Sequence, residues 1–229
     1  MPTLRYLGHS AAEVIDGDTR VLIDPFLTGN SLAAAQADEL EPRAILISHG
    51  HNDHVGDAIE IAKRSEALCV GTFELATWLE SKGVSAHGMH VGGAHQFDWG
   101  WVKLTLAFHG STYVEQDGTF VPFGQPAGVL FRTGGSTLYH AGDTALFGDM
   151  ALIARHGIDL ALLPIGDNFT MGPEDALEAV RLLKPKVVVP IHYDTFPVIR
   201  QDARAWAEQV TAQTGVRAVA LQPGETIDY

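Results

Sequence analysis

The amino-acid sequence predicts an α/β protein with four αββα layers, two sheets face to face and helices outside both. Three observations carry that prediction. Continuous apolar runs, AILIS (Ala44–Ser48) and KVVVPI (Lys186–Ile191), read as strands buried on both faces. Helix-patterned segments separate such runs in each half of the chain. No Ser/Pro-rich linker divides the halves, so they are expected to form one domain over residues 1–229, built of two similar parts.

The elements follow in order. Thr3–Gly8, Ala11–Asp16 and Arg20–Asp24 read as short strands, with DGDT supplying a turn. Ala44–Ser48 is a buried strand. Val55–Arg64 is expected to be helical, and so is Phe73–Lys82, which Gly83 stops. From about Val84 to Tyr139 the pattern is strand-rich, with FDWGWVKLTLAF the clearest strand pair. Thr137–His140 is a strand leading into AGDT, and Ala145–Arg155 reads as a helix. Ile158–Leu163 is again a buried strand. In GPEDALEAVRLLKP, Pro173 suits a first helical position, acids follow it, and Pro185 ends the helix. Lys186–Ile191 is a strand, Val198–Thr214 a long helix, and Ala218–Leu221 and Glu225–Ile227 close the fold.

Composition narrows the function. The 229 residues are 46% apolar, enough for a sizeable core, and carry a net charge of −13. Such a surface repels long nucleic acid, so a small-molecule partner is expected. The single cysteine, Cys69, lies in the apolar run EALCV and reads as a core residue. The N-terminus MPTLRYLGHS lacks an apolar signal region, and no window reaches membrane-spanning length. No membrane association and a cytoplasmic location are expected, while a homo-oligomer is left open.

The chemistry concentrates in SHGHNDH (Ser48–His54), where three histidines and an aspartate share one loop. His109 follows the strand KLTLAF, Asp143 follows TLYHAG, and His192 follows KVVVP. Ligands of layered α/β proteins collect at the carboxyl ends of strands, and every one of these segments sits there. Neutral imidazoles and carboxylates suit Zn, Fe and Mn. His49, His51 and His109 can reach one ion; Asp53, His54 and His192 can reach a second; Asp143 can bridge them. Two ions sharing a water would make it a nucleophile near neutral pH. No GxSxG elbow, phosphate-binding GxxxxGK[ST] loop or HExxH helix offers a different chemistry.

The segments YLGHSAAEV, LIDPFLTGN, SHGHNDHVGDA, AFHGS, YHAGDT, LPIGDNFTMGPEDA and PIHYDTFP together resemble the metallo-β-lactamase fold superfamily, and within it the UPF0173 group of metal-dependent hydrolases. The resemblance spans nearly the whole chain. It implies the same αββα fold and the same seven ligands: His49, His51, Asp53, His54, His109, Asp143 and His192. It also disfavours antibiotic degradation, because Asp143 stands where that class has cysteine.

Other residues frame this set. Asp24, ending VLID, matches a family aspartate that orients a metal ligand; alternatively it is a turn residue before Pro25. His9, in LGHS, is a candidate auxiliary acid/base or a turn histidine. His140 could support a ligand, although an ordinary packed histidine is the plainer reading. Asp167, Asn168 and Thr170 in GDNFTMG are expected to wall the substrate pocket. The cluster His87, His90 and His95 lacks a carboxylate and reads as surface. The long segment after His109 is a candidate to lid or shape the site.

The expected activity is hydrolysis of a small phosphodiester, lactone or (thio)ester. His9, Asp53 and Asp143 are the catalytic candidates, the aspartates being ligands first. Two divalent ions are expected, zinc before manganese, iron or nickel. The alternatives are a di-iron redox protein and a non-catalytic, metal-stabilised binding or sensor protein. The redox alternative is weakened because His51 stands where such relatives usually have Glu and no flavin module is attached.

Overall fold

Side-chain alternation along the strands builds three apolar layers. The computed structural model describes residues 1–229. The strands β1 (Thr3–Gly8), β2 (Ala11–Asp16) and β3 (Thr19–Ile23) form an antiparallel meander. β4 (Ala44–Leu46) adds parallel to β3 and leads through α1 (Asn52–Val55) and α2 (Ala58–Ser65) into β5 (Leu68–Thr72). α3 (Phe73–Ser81) and β6 (Ala86–Met89) complete this half. The second half runs β7 (Ala94–Phe97), β8 (Gly100–Leu106), a hairpin of β9 (Thr112–Val114) and β10 (Phe120–Pro122), then β11 (Ala127–Thr133) and β12 (Ser136–His140). After these come α4 (Met150–Ile153), β13 (Leu160–Pro164), α5 (Pro173–Leu183), β14 (Val187–Ile191), α6 (Ala203–Thr214), β15 (Arg217–Ala218) and β16 (Thr226–Asp228). One sheet has the order β16-β1-β2-β3-β4-β5-β6, and the other β15-β14-β13-β12-β11-β8-β7.

Val21, Ile23, Ala44 and Leu46 of the first sheet face Leu160, Leu162, Val187, Val189 and Ile191 of the second. Their neighbours point the other way, as the period of two requires. Leu22, Ile45 and Ile47 meet Ile61, Leu75 and Leu79 of α2 and α3. Ala161, Leu163 and Val188 meet Leu177, Val180 and Trp206 of α5 and α6. The four predicted layers are thus present, with helices outside both sheets. No helix is long and apolar enough to cross a membrane.

Strand direction gathers the ligands. In the first sheet β1, β3 and β4 run the same way. In the second, β12, β13 and β14 are parallel, and β8, two antiparallel steps from β12, shares their direction. Residues that follow β1, β3, β4, β8, β12 and β14 therefore lie at the carboxyl ends of strands, where loops can converge.

Several elements differ from expectation, each for a local reason. β4 ends at Leu46 because the Ser48 amide donates to the Asp24 carboxylate instead of to a strand. The predicted Val55–Arg64 helix is split. Gly56 has φ 45°, and the Asp57 carboxylate accepts from the Leu27 and Thr28 amides before α2 starts at Ala58. β5 was not anticipated; it is short and packs its glycine and cysteine between two parallel neighbours. Helix Ala145–Arg155 shrinks to Met150–Ile153 and a following 3-10 turn, since the Ala145 amide bonds the Phe108 carbonyl across the sheet. The Val198–Thr214 helix starts at Ala203, capped by Asp202 accepting from the Ala205 amide, after a separate 3-10 turn at Pro197–Ile199. The Ala218–Leu221 strand reduces to Arg217–Ala218. The last strand leaves the second half altogether and pairs with β1.

Candidate metal centre

The histidine loop leaves β4 with a chain conformation set by two close approaches. A Cβ at Gly50 would lie 2.0 Å from the Phe123 ring, so only glycine lets that ring pack on the loop. Gly142, with φ 61°, brings its backbone against the Ser48 side chain; a Cβ there would lie 2.8 Å from Ser48 Cβ. That contact sets Asp143 opposite the loop. The β9–β10 hairpin braces the loop rather than covering the pocket. Asn52 donates to the Val114 carbonyl and accepts from the Val114 amide, and the Gly50 amide donates to Ser111 Oγ.

Seven side chains converge. His49, His51 and His109 each offer a ligand atom within 4.8 Å of the others, and so do His49, His54 and Asp143. A further group joins His9, Asp53, His54 and His192. Asp143 lies at the centre: Oδ2 is 3.0 Å from His192 Nε2 and 3.4 Å from His109 Nε2, while Oδ1 is 3.3 Å from His54 Nε2. All seven predicted ligands are brought together.

Hydrogen bonds behind the histidines decide which nitrogens face inward. Asp24 is fully buried and accepts from the Ser48 amide at 2.8 Å, Ser48 Oγ at 2.6 Å and His54 Nδ1 at 2.8 Å. With its only proton given to Asp24, Ser48 Oγ accepts from His49 Nδ1 at 2.9 Å. His49 Nε2 is then a bare lone pair, 3.0 Å from His51 Nδ1. Asp24 thus backs two of the converging histidines, His54 directly and His49 through Ser48.

The electrostatics fit a cation. Burial pushes the His49, His51 and His109 imidazoles down, which keeps them neutral. Burial alone would raise Asp143, but His192 and His54 outweigh it and hold the carboxyl well below the usual range. Burial likewise opposes charge on His54, yet Asp143 and Asp24 on either side raise it well above its ordinary value. His54 Nε2 and Asp143 Oδ1 are buried without hydrogen-bond partners. A buried imidazole nitrogen and a buried carboxylate oxygen left unpaired side by side are the donor set that a metal ion would satisfy.

His9 stands at the edge of this centre. Its Nε2 is 3.2 Å from Asp53 Oδ2 and its Nδ1 2.9 Å from Thr195 Oγ1. Burial, only partly offset by Asp53, lowers its pKa to about 4. Neutral His9 therefore donates from Nε2 to Asp53 and accepts from Thr195. Its backbone has φ 56°, held by the Tyr6 hydroxyl and the His192 amide, both donating to its carbonyl. Asp24 and His192 share this left-handed conformation at φ 46° and 55°. Strained backbone at three residues of one site marks a constraint beyond packing.

Two expectations are corrected. His140 lies 4.0 Å from Asp24 but touches no ligand. Its Nε2 donates to the Ser10 carbonyl and its Nδ1 accepts from the Gly142 amide, so both nitrogens are taken, the first tying the two sheets and the second holding the turn after β12. The pocket over the centre, about 440 Å³, is floored by His51, Asp53, His109, Asp143 and His192 and walled by Phe169, Phe196 and Val198. Asp167, Asn168 and Thr170 do not line it. Asp167 and Asn168 both have positive φ, Asp167 accepts from the Asn168 amide, and Thr170 Oγ1 donates to the Met171 carbonyl; that turn presents Phe169 instead. Sequence reasoning passed over Ser48, Thr195, Phe196 and Val198. All four sit beside predicted ligands or within PIHYDTFP and the residue after it, which is the one signal that could have found them. His87 and His95 face each other from edge strands with ring centres 4.5 Å apart, and no third ligand joins them.

A model of the beta-lactamase superfamily domain matches residues 19–193. UPF0173 metal-dependent hydrolases of Bacillus cytotoxicus and Thermus thermophilus are 53% and 52% identical, over 98% and 99% of both chains respectively. The chain belongs to the UPF0173 metal-dependent hydrolases of the metallo-β-lactamase superfamily. Among solved structures, a metallo hydrolase of the archaeon Ignicoccus hospitalis is 35% identical, covers 100% of this chain and 99% of its own, and superposes with a TM-score of 0.89. For a UPF0173 hydrolase the centre described above is the natural place for the metal on which its family depends.

The metal-free UPF0173 protein should lose stability in mild acid. Folded His9 has a pKa of about 4 against an ordinary 6.5, so below pH 6.5 the unfolded chain binds a proton that the folded chain refuses. His49, His51, His109 and His140 are shifted the same way by burial. Raised His54 works oppositely but stands alone among the histidines. In chelator, the melting temperature is expected to fall steadily from pH 7 to pH 5; an unchanged or rising value would contradict this ionisation scheme.

Proposed function

We propose that the protein hydrolyses a small phosphodiester, lactone or (thio)ester with two divalent ions held by these residues. The observation that carries this reading is the pair of ligand groups meeting at Asp143 beneath an open pocket. His49, His51 and His109 would hold one ion; Asp53, His54 and His192 the other; Asp143 would serve both. Zinc is the expected occupant, with manganese, iron or nickel also compatible with an Asp/His shell. When bound, such ions polarise the oxygen under attack and acidify water.

The chain's own residues do the rest. Asp24 and Ser48 hold His54 and His49 with Nε2 inward, through the hydrogen bonds given above. His9 donates to Asp53 and so orients that carboxylate; it is a positioning residue that also stands within reach of a proton at Asp53 Oδ2. Asp53 is itself held well below the ordinary carboxylate range: burial opposes this, and His9 and His54 outweigh it. It can therefore accept a proton only transiently, which suits a relay to a leaving group. Phe169, Phe196 and Val198 wall the pocket over the centre.

The test is to strip the protein, reload it with zinc, manganese, iron or nickel in turn, and measure bound metal and turnover. Phosphodiesters, lactones and thioesters are the substrates. About two ions per chain and turnover in at least one class are expected. Tight metal binding without turnover on any substrate would favour a metal-stabilised binding or sensor protein instead.

A further inference from the structure

The pocket wall carries information about the substrate that the metal ligands do not. Phe169 is 53% exposed and Val198 59%, although both are apolar. Phe169 is displayed by a turn with two consecutive non-glycine residues at positive φ, Asp167 at 61° and Asn168 at 43°. Backbone strain used to hold an aromatic ring in solvent returns nothing to stability. Val198 is presented by the short 3-10 turn Pro197–Ile199, which buries Ile199 completely and leaves its neighbour outward. With the half-buried Phe196 these side chains form one wall, contributed by the loops after β13 and β14.

No lysine or arginine lines this pocket. Cations are close in sequence, yet Arg200, two residues beyond Val198, lines a separate cavity with Tyr193, Asp194 and Arg204. A site built for phosphate or for a coenzyme's phosphates normally supplies basic side chains or backbone amides at a helix start. Here the only polar groups on the pocket surface are the ligands themselves. A cavity of about 440 Å³ belongs to the smaller class of ligand pockets, which run from about 300 to 1,000 Å³.

We infer that the substrate is an uncharged ester or lactone with a medium-length apolar acyl group, seated against Phe169, Phe196 and Val198, and not a phosphodiester. This rests on the hydrolase reading above and narrows it. The reaction adds one water across the acyl–oxygen bond: water oxygen joins the acyl carbon, the bond to the alkoxy oxygen breaks, and that oxygen takes a proton.

Two measurements on zinc-loaded protein test it. The first is calorimetric binding of straight-chain carboxylates from acetate to hexanoate. Affinity is expected to rise about two- to fourfold per methylene, the range set by burying a methylene in an apolar pocket. The second is hydrolysis of the para-nitrophenyl esters of the same acids, beside methyl para-nitrophenyl phosphate. The hexanoate ester is expected to have the highest kcat/KM, and the phosphodiester the lowest. Phe169→Ala and Val198→Ala should flatten both series. Since both side chains are more than half exposed, these variants are expected to fold. Hydrolysis with a flat chain-length series, or with the phosphodiester preferred, would overturn the substrate class while leaving the hydrolase reading intact. A rising binding series with no hydrolysis of any substrate would overturn the hydrolase reading and the substrate with it, leaving a pocket that only binds apolar carboxylates. A flat binding series that Phe169→Ala leaves unchanged would remove the apolar wall from consideration.

Discussion

Replacing Asp143 with alanine is expected to lower turnover by about 10³-fold or more and to remove at least one ion per chain. The reason is geometric. One carboxylate reaches His54, His109 and His192 at 3.0–3.4 Å, so it is common to both ligand groups. Its loss also leaves raised His54 with only Asp24 as a counter-charge. Asp143→Asn separates the two contributions. It keeps the volume and one oxygen, so the fold should survive, but the charge that would serve both ions is gone. Metal analysis beside steady-state rates is the check. Full metal content with near-normal turnover in either variant would mean that Asp143 is not the shared ligand.

Asp24→Ala carries the largest expected cost in stability. The carboxylate is fully buried, and three donors depend on it: the Ser48 amide, the Ser48 hydroxyl and His54 Nδ1. Stranding buried donors and a buried partner of this kind costs roughly 3–5 kcal/mol. For a chain of this size that corresponds to a fall of about 10 °C or more in melting temperature. Asp24→Asn should be milder in stability and still harmful to the centre. Its amide NH₂ would face His54 Nδ1 and favour the tautomer with the proton on Nε2, where a lone pair is needed. Metal affinity is expected to drop about 10- to 100-fold while most stability is kept. A competition titration with a chromogenic chelator reads this directly. An Asn variant that binds metal like the parent would show that Asp24 is a fold residue and no more.

The two readings of Asp24 illustrate how far residue patterns reach. That an aspartate ends VLID was visible, and so was the turn that follows. Its three hydrogen bonds were not, because they join the end of β3 to a loop 24 to 30 residues later. His140 shows the converse. Its spacing from Asp143 suggests support for a ligand, yet its partners are Ser10 and Gly142. The first lies far away in the chain, and only the packing of one sheet on the other brings it near. Asp167, Asn168 and Thr170 were reasonable pocket residues by polarity. The left-handed turn reverses the assignment and turns Phe169 to the pocket.

The amino-acid sequence by itself determined the layers, the seven side chains that converge and the family. These rest on local properties: period-two and period-3.6 patterning, and donor atoms placed directly after apolar strands. Tertiary structure alone decided that β16 returns to the first sheet, that Ser48 and Asp24 choose the histidine nitrogens, and that an apolar wall faces the centre. Those outcomes depend on contacts between distant segments and on loop dihedrals, whose small energy differences are set by the whole packed molecule and not by any short stretch of chain.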